Sequence, residues 1–197
     1  MPAKLEQKRV FVISSNENFH RYVRDNLPDG DYIIAGGAVS CTEARQKMMD
    51  ESAAVILINM PLNDECGTEL AGDLAENTCS AVIAVVKNEQ ETEMRQALEP
   101  CGVLVLGRPF AHAAFHQVVY DAAASFARLS AMSMENQRLQ IKLLDLRTVN
   151  RAKYALMQYL GMTEEQAHKY IEQQAMNMRI SKRAAAENVL KTYSDKR

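Results

Sequence analysis

The chain has 197 residues, 47% of them hydrophobic and 24% charged, with eight Gly, five Pro and a formal net charge of -2. That length suits one or two domains with a real core, and the composition excludes a disordered, collagen-like or low-complexity chain. No run of about 18 uncharged apolar residues occurs, which argues against a membrane span, and the N-terminal MPAKLEQKRV lacks the apolar stretch of a secretory leader.

Four cysteines (Cys41, Cys66, Cys79, Cys101) are widely spaced with no C-x-x-C. They read as reduced, buried, small apolar residues of a cytoplasmic protein. The near-neutral total hides an asymmetry. Residues 1–120 hold 10 Lys and Arg against 17 Asp and Glu, whereas residues 121–197 hold 13 against 8. An acidic module followed by a basic one points to a polyanion as partner of the second.

In chain order, Val10–Ile13 reads as a buried strand ended by Ser14-Ser15-Asn16, and 19–27 as a helix stopped by Pro28-Asp29-Gly30. Strand 32–35 follows, with Gly36-Gly37 as a loop, then helix 42–50 with Ala44, Met48 and Cys41 facing in. Strand 54–58, helix 65–76, strand 81–86, helix 91–99 and strand 103–106 complete the first module. These strands are apolar throughout rather than alternating, so both faces need cover, which the intervening helices supply. The expectation is an α/β, flavodoxin-like, doubly wound (βα)5 sheet of order 2-1-3-4-5.

With Leu106-Gly107-Arg108-Pro109-Phe110 at the end of the fifth strand, this layout resembles a response-regulator receiver domain. The resemblance implies two acidic residues after the first strand to hold Mg²⁺, a phosphorylatable Asp after the third, a hydroxyl residue after the fourth and a Lys after the fifth. This chain has Ser14 and Ser15, Asn59, Val86 and Arg108 instead. An amide is a poor nucleophile, and hydroxyls do not replace carboxylates as hard anionic ligands. These five positions are therefore expected to form a degenerate phospho-acceptor pocket in a pseudo-receiver.

From Ala111 to about Arg151 there is no Gly or Pro and helix formers dominate. Leu129, Met132, Asn136, Leu139, Leu143, Leu146 and Asn150 follow one another at steps of three and four, an a/d heptad register suited to a parallel coiled-coil homodimer. Asn136 falls at an a position, where a buried amide can pair with its twin and fix register.

The last 51 residues carry ten Lys and Arg against five Asp and Glu. Three helices are legible. One ends at Gly161, a second starts at Thr163 with Gln166 three residues on as a capping box, and a third has Ser181 as N-cap. Ala152, Leu156, Met157 and Leu160, then Ala167, Tyr170, Ile171 and Met176, then Ala185, Val189 and Leu190 are the expected core of a three-helix bundle. Met157, Met162, Met176 and Met178 read as core filling.

Ala152-Lys153, Leu156-Met157, Gly161, Glu165, Ala167, Ala175-Met176 and Ala185-x-x-x-Val189-Leu190 resemble the ANTAR domain, with one departure: Tyr154 stands where that family has Gly or a small residue. The whole arrangement is similar to amidase-operon and ethanolamine-operon antiterminators. The resemblance implies binding to tandem stem-loops in an mRNA leader that keeps the terminator hairpin from forming. Arg147, Arg151, Lys153, Tyr154, Tyr170, Arg179, Lys182 and Arg183 are the expected RNA contacts, the cations on phosphate and the tyrosines stacked on bases.

The expected organisation is a pseudo-receiver at 1–122, a coiled-coil helix at 123–146 and an ANTAR domain at 147–197. His112 and His116 have ligand spacing but nothing nearby completes a set, so no metal, cofactor or catalytic constellation is expected. Regulation without aspartyl phosphorylation would fall to a partner protein or a small ligand near Ser14, Ser15 and Asn59. The competing reading is a DNA-binding transcription regulator, which the absence of a short tight turn between two helices disfavours.

Overall fold

The computed structural model describes residues 7–28 and 30–194. Residues 1–6 of the N-terminal stretch, Asp29 of the helix-stopping turn and residues 195–197 of the basic tail lie outside the described residues. The chain divides into two compact units, Met1–Met132 and Ser133–Arg197.

The first unit alternates strand and helix: β1 (Lys8–Ile13), α1 (Glu17–Asn26), β2 (Tyr32–Ala38), α2 (Cys41–Lys47), β3 (Val55–Asn59), α3 (Thr68–Asn77), β4 (Ala81–Lys87), α4 (Asn88–Leu98), a 3-10 turn at Glu99–Cys101, and β5 (Leu104–Arg108). The five strands pair in parallel in the order β2-β1-β3-β4-β5. This is the expected doubly wound α/β sheet.

The uninterrupted apolar strands are explained by the pleat, which sends neighbouring residues to opposite faces. Phe11, Ile13, Ile56, Ile58, Val82 and Ala84 pack with Cys41, Ala44, Leu70 and Leu74 on one side. Val10, Val12, Val55, Leu57, Ile83 and Val85 pack with Phe19, Val23, Phe115 and Val119 on the other.

Gly36 and Gly37, expected in a loop, lie inside β2. A Cβ on Gly36 would sit 2.9 Å from the Phe11 ring, and one on Gly37 would sit 2.8 Å from the Val12 carbonyl oxygen. The pairing of β1 with β2 also shifts register between Val10 and Phe11. These glycines permit a close approach of backbones rather than a turn.

Helix α5 runs unbroken from His112 to Leu160, so the first of the three expected C-terminal helices is its end. Gly161, with φ +66°, follows it. α6 (Glu164–Met178) starts at the Thr163–Gln166 capping box, and α7 (Lys182–Ser194) starts with Ser181 Oγ accepting from the Ala184 N–H.

The core of the second unit is small-residued: Ala152, Leu156, Ala167, Ile171, Ala175, Ala185, Ala186 and Val189 are buried. Leu160, Met176 and Met178, expected inside, are exposed, and Tyr170 is only partly covered. Cys41 is buried, as expected, but Cys66 is exposed. Cys66 precedes Gly67, whose positive φ opens α3, so it belongs to a loop and not to a packed face. His116 Nε2 lies 2.8 Å from the Asn26 carbonyl oxygen, a hydrogen bond from α5 to the end of α1. Among the described residues no helix is long and apolar enough to cross a membrane.

Candidate nucleic-acid interface

On α5, Arg147, Asn150, Arg151 and Tyr154 are spaced i, i+3, i+4, i+7 and form one stripe. All but Arg147 and Asn150 sit beside a turn whose opposite face is packed: Ala152 and Leu156 are buried against α6 and α7, which fixes how the stripe points. Arg151 and Tyr154 are exposed. Arg147 and Arg151 have no carboxylate within ion-pair reach among the described residues.

Arg179 is likewise unpaired. It caps α6 at φ +54°, in the left-handed region that glycine occupies more easily. Among the described residues these three guanidiniums thus stand free to meet an anion.

The other three basic candidates are committed within the unit. Lys153 Nζ lies 2.8 Å from Glu164 Oε1, with its side chain 16% exposed. Lys182 pairs with Glu172. Arg183 bridges Asp145 on α5, at 3.1 Å, and Glu187 on its own helix, at 2.9 Å. The lysine hydrogen bonds hold the carboxyls of Glu164 and Glu172 below the usual carboxylate range. The Glu187 and Asp145 hydrogen bonds raise the Arg183 guanidinium.

Of the two tyrosines, Tyr154 is 69% exposed and lines a small cavity with Asn150, Lys153, Met157 and Glu164. Tyr170 lines a second cavity, with α7 on its other side. Asn150, expected in the heptad seam, shares the basic stripe as well.

The seam itself is bare in the single chain. Leu129, Met132, Leu139, Leu143 and Leu146 are exposed to differing degrees, as is Asn136. So are Met134, Ile141 and Leu144, at heptad positions the periodicity does not single out.

At the C-terminal ends of the strands in the first unit, Asn59 Nδ2 donates to Ser14 Oγ at 2.9 Å, and both residues are buried. Ser14 Oγ also accepts from the Asn16 N–H at 3.1 Å. Arg108 Nη2 donates to the Met60 carbonyl at 2.6 Å. Val86, beside Gly107 in the β4–β5 pairing, contributes only apolar surface there. Ser15 is partly exposed and follows β1 without joining this network. Asn59 Nδ2 and Arg108 Nη2 are therefore tied to the chain's own oxygens, while the buried Asn59 Oδ1 and Arg108 Nε have no hydrogen-bond partner among the described residues.

Comparison with known proteins adds three findings. Residues 137–190 match the ANTAR domain family. Transcriptional regulatory protein PdtaR from Mycobacterium tuberculosis is 25% identical over 187 residues, covering 94% of this chain and 90% of that protein. Among solved structures, an adenylate cyclase from Rhodopirellula baltica aligns with TM-score 0.60 at 15% identity, over 67% of this chain and 98% of that one. A CheY-like response regulator receiver domain from Methanospirillum hungatei aligns with TM-score 0.56 at 16% identity, over 62% and 98%. At such identities the likeness concerns the fold alone. Residues 137–190, within the second unit, thus match the ANTAR domain family, and the first unit has the receiver fold.

Proposed function

We propose that this protein is a transcription regulator of the antiterminator type. It binds paired stem-loops in an mRNA leader as a homodimer and so keeps a terminator hairpin from forming. The observation that carries this reading is the ANTAR match laid over a three-helix unit whose α5 stripe bears unpaired Arg147 and Arg151. A basic stripe positions phosphates, while exposed aromatic side chains take splayed loop bases. The alignment with a transcriptional regulatory protein across nearly the whole chain supports a regulator rather than an enzyme.

The exposed heptad leucines support pairing with a second copy through α5. Two copies present two binding units, and two stem-loops on one transcript then bind with higher avidity than either alone. The Ser14–Asn59 hydrogen bond supports control by a partner protein or ligand rather than by phosphoryl transfer. We propose the division into a pseudo-receiver at 1–122, a dimerising helix at 123–146 and an RNA-binding domain at 147–197, all of it in the cytoplasm.

The test is a binding competition at physiological salt between hairpin RNA and duplex DNA of matched length. Hairpin RNA should win, and Arg147→Ala with Arg151→Ala should flatten the log–log salt dependence by about one unit for each phosphate no longer neutralised. Preference for duplex DNA would establish the competing DNA-binding reading, and binding to neither would remove both.

A further inference from the structure

The second unit holds a cavity of about 180 Å³ between α6 and α7. Tyr170, Gln174 and Met178 reach it at four-residue spacing along one face of α6, and Asn188, Thr192 and Tyr193 reach it from α7. Spacing of four keeps the α6 set on one side of its helix, and Asn188 and Thr192 are likewise four apart on α7, so the two faces meet across a groove.

The lining is chemically selective. Two tyrosines supply aromatic surface, and Tyr193 is already stacked on Tyr159, with ring centroids 5.5 Å apart and planes at 13°. The amides of Gln174 and Asn188 make no side-chain hydrogen bond with the described residues, so each offers both a donor and an acceptor. The Thr192 hydroxyl, by contrast, is used on the Asn188 carbonyl.

Among the described residues no acidic or basic side chain lines the cavity, so neither a phosphate nor a carboxylate is matched by it. The volume falls below the roughly 300 Å³ at which pockets for drug-sized ligands begin. What fits is one small planar group with a polar edge. Arg179 directly follows Met178 and is exposed and without an ion-pair partner among the described residues. A flat polar guest flanked by negative charge is a nucleotide with its base turned in.

We infer that this cavity is a base-binding pocket. One unpaired base of an RNA loop inserts between α6 and α7, stacks on the tyrosines and has its edge read by Gln174 and Asn188, while Arg179 takes a flanking phosphate. The inference rests on the RNA-binding reading above and extends it to residues outside the basic stripe.

The test uses the full chain and a pool of RNA hairpins with a constant stem and a randomised six-nucleotide loop. The tightest hairpin is then remade with an abasic site at each loop position in turn. One such site should cost the native protein about tenfold in affinity. The same site should cost the Gln174→Ala/Asn188→Ala variant little more than that variant has already lost. The salt slope of the variant should stay native, since every phosphate remains neutralised as before. 2-Aminopurine at the same position should be quenched on binding the native chain and not on binding a Tyr170→Leu variant.

If native and variant proteins bind alike, or their losses simply add to the abasic loss, the pocket is wrong while the RNA reading stands. If the native chain binds no hairpin, both fall.

Discussion

Asp64, in the loop after β3, serves a helix it does not belong to. Its carboxylate accepts the Cys41 N–H at 2.9 Å and the Thr42 N–H at 3.0 Å, so that with Ser40 it caps the start of α2. Those backbone hydrogen bonds bring the carboxyl down to about 2. A carboxyl lowered on folding stabilises above its unfolded value and loses that contribution as the pH falls through its folded one. The stability gap between the native chain and Asp64→Asn should therefore be constant above about pH 4.5 and close as the pH approaches 2, in denaturant titrations across that range. A gap unchanged down to pH 2 would show that the carboxylate is not the cap. The Cys41 thiol beside it is pushed up to about 11, by burial first and then by Asp64 and Glu65, which leaves it protonated and unreactive at neutral pH. At Asn59 the expectation is equally specific. Incubation with acetyl phosphate should add no phosphoryl mass to the protein, and a phosphorylated peptide mapping to Asn59 would overturn the pseudo-receiver assignment. The substitutions at Ser14, Asn59 and Arg108 are legible in the sequence because residue type alone decides that chemistry. The pairing of the basic residues is not. Lys153 and Glu164 are 11 residues apart, Lys182 and Glu172 10, and Arg183 and Asp145 38, so each partner comes from another helix and leaves no trace in local spacing.

Among the elements, strand and helix identities follow from continuous apolar runs and 3.6-residue periodicity, both of which act within one segment. Gly36 and Gly37 escape such a reading because what puts them in a strand is the close passage of β1, a tertiary cause. Leu160, Met176 and Met178 escape it because burial near a helix end depends on what lies opposite, and there the small core of alanines leaves them uncovered. In α5 the apolar seam is legible as a pattern, and its exposure in the single chain gives it a physical demand for a partner. Asn136 is the informative position. Asn136→Leu should raise the thermal midpoint of the full chain while widening the range of oligomers seen by sedimentation, because a buried amide gives up stability to fix register. A native chain that stays monomeric at every concentration tested would remove the coiled coil.

At the scale of the whole molecule, the change from an acidic to a basic composition anticipates two units, and the run from Ala111 to about Arg151 without Gly or Pro anticipates the single helix with residues in both. In most two-domain proteins a polar linker separates the function of one part from the geometry of the other. Here Leu139, Leu143 and Leu146 and, directly after them, Arg147, Arg151 and Tyr154 lie on one uninterrupted helix. Their angular offset is then a matter of counting residues. One amino acid inserted between Leu146 and Arg147 swings the arginines by about 100° around the axis. Seven bring them back to within about 20°. Tolerance to insertion at this point should accordingly be periodic rather than graded, so that lineages lengthening this helix would be confined to steps of whole heptads.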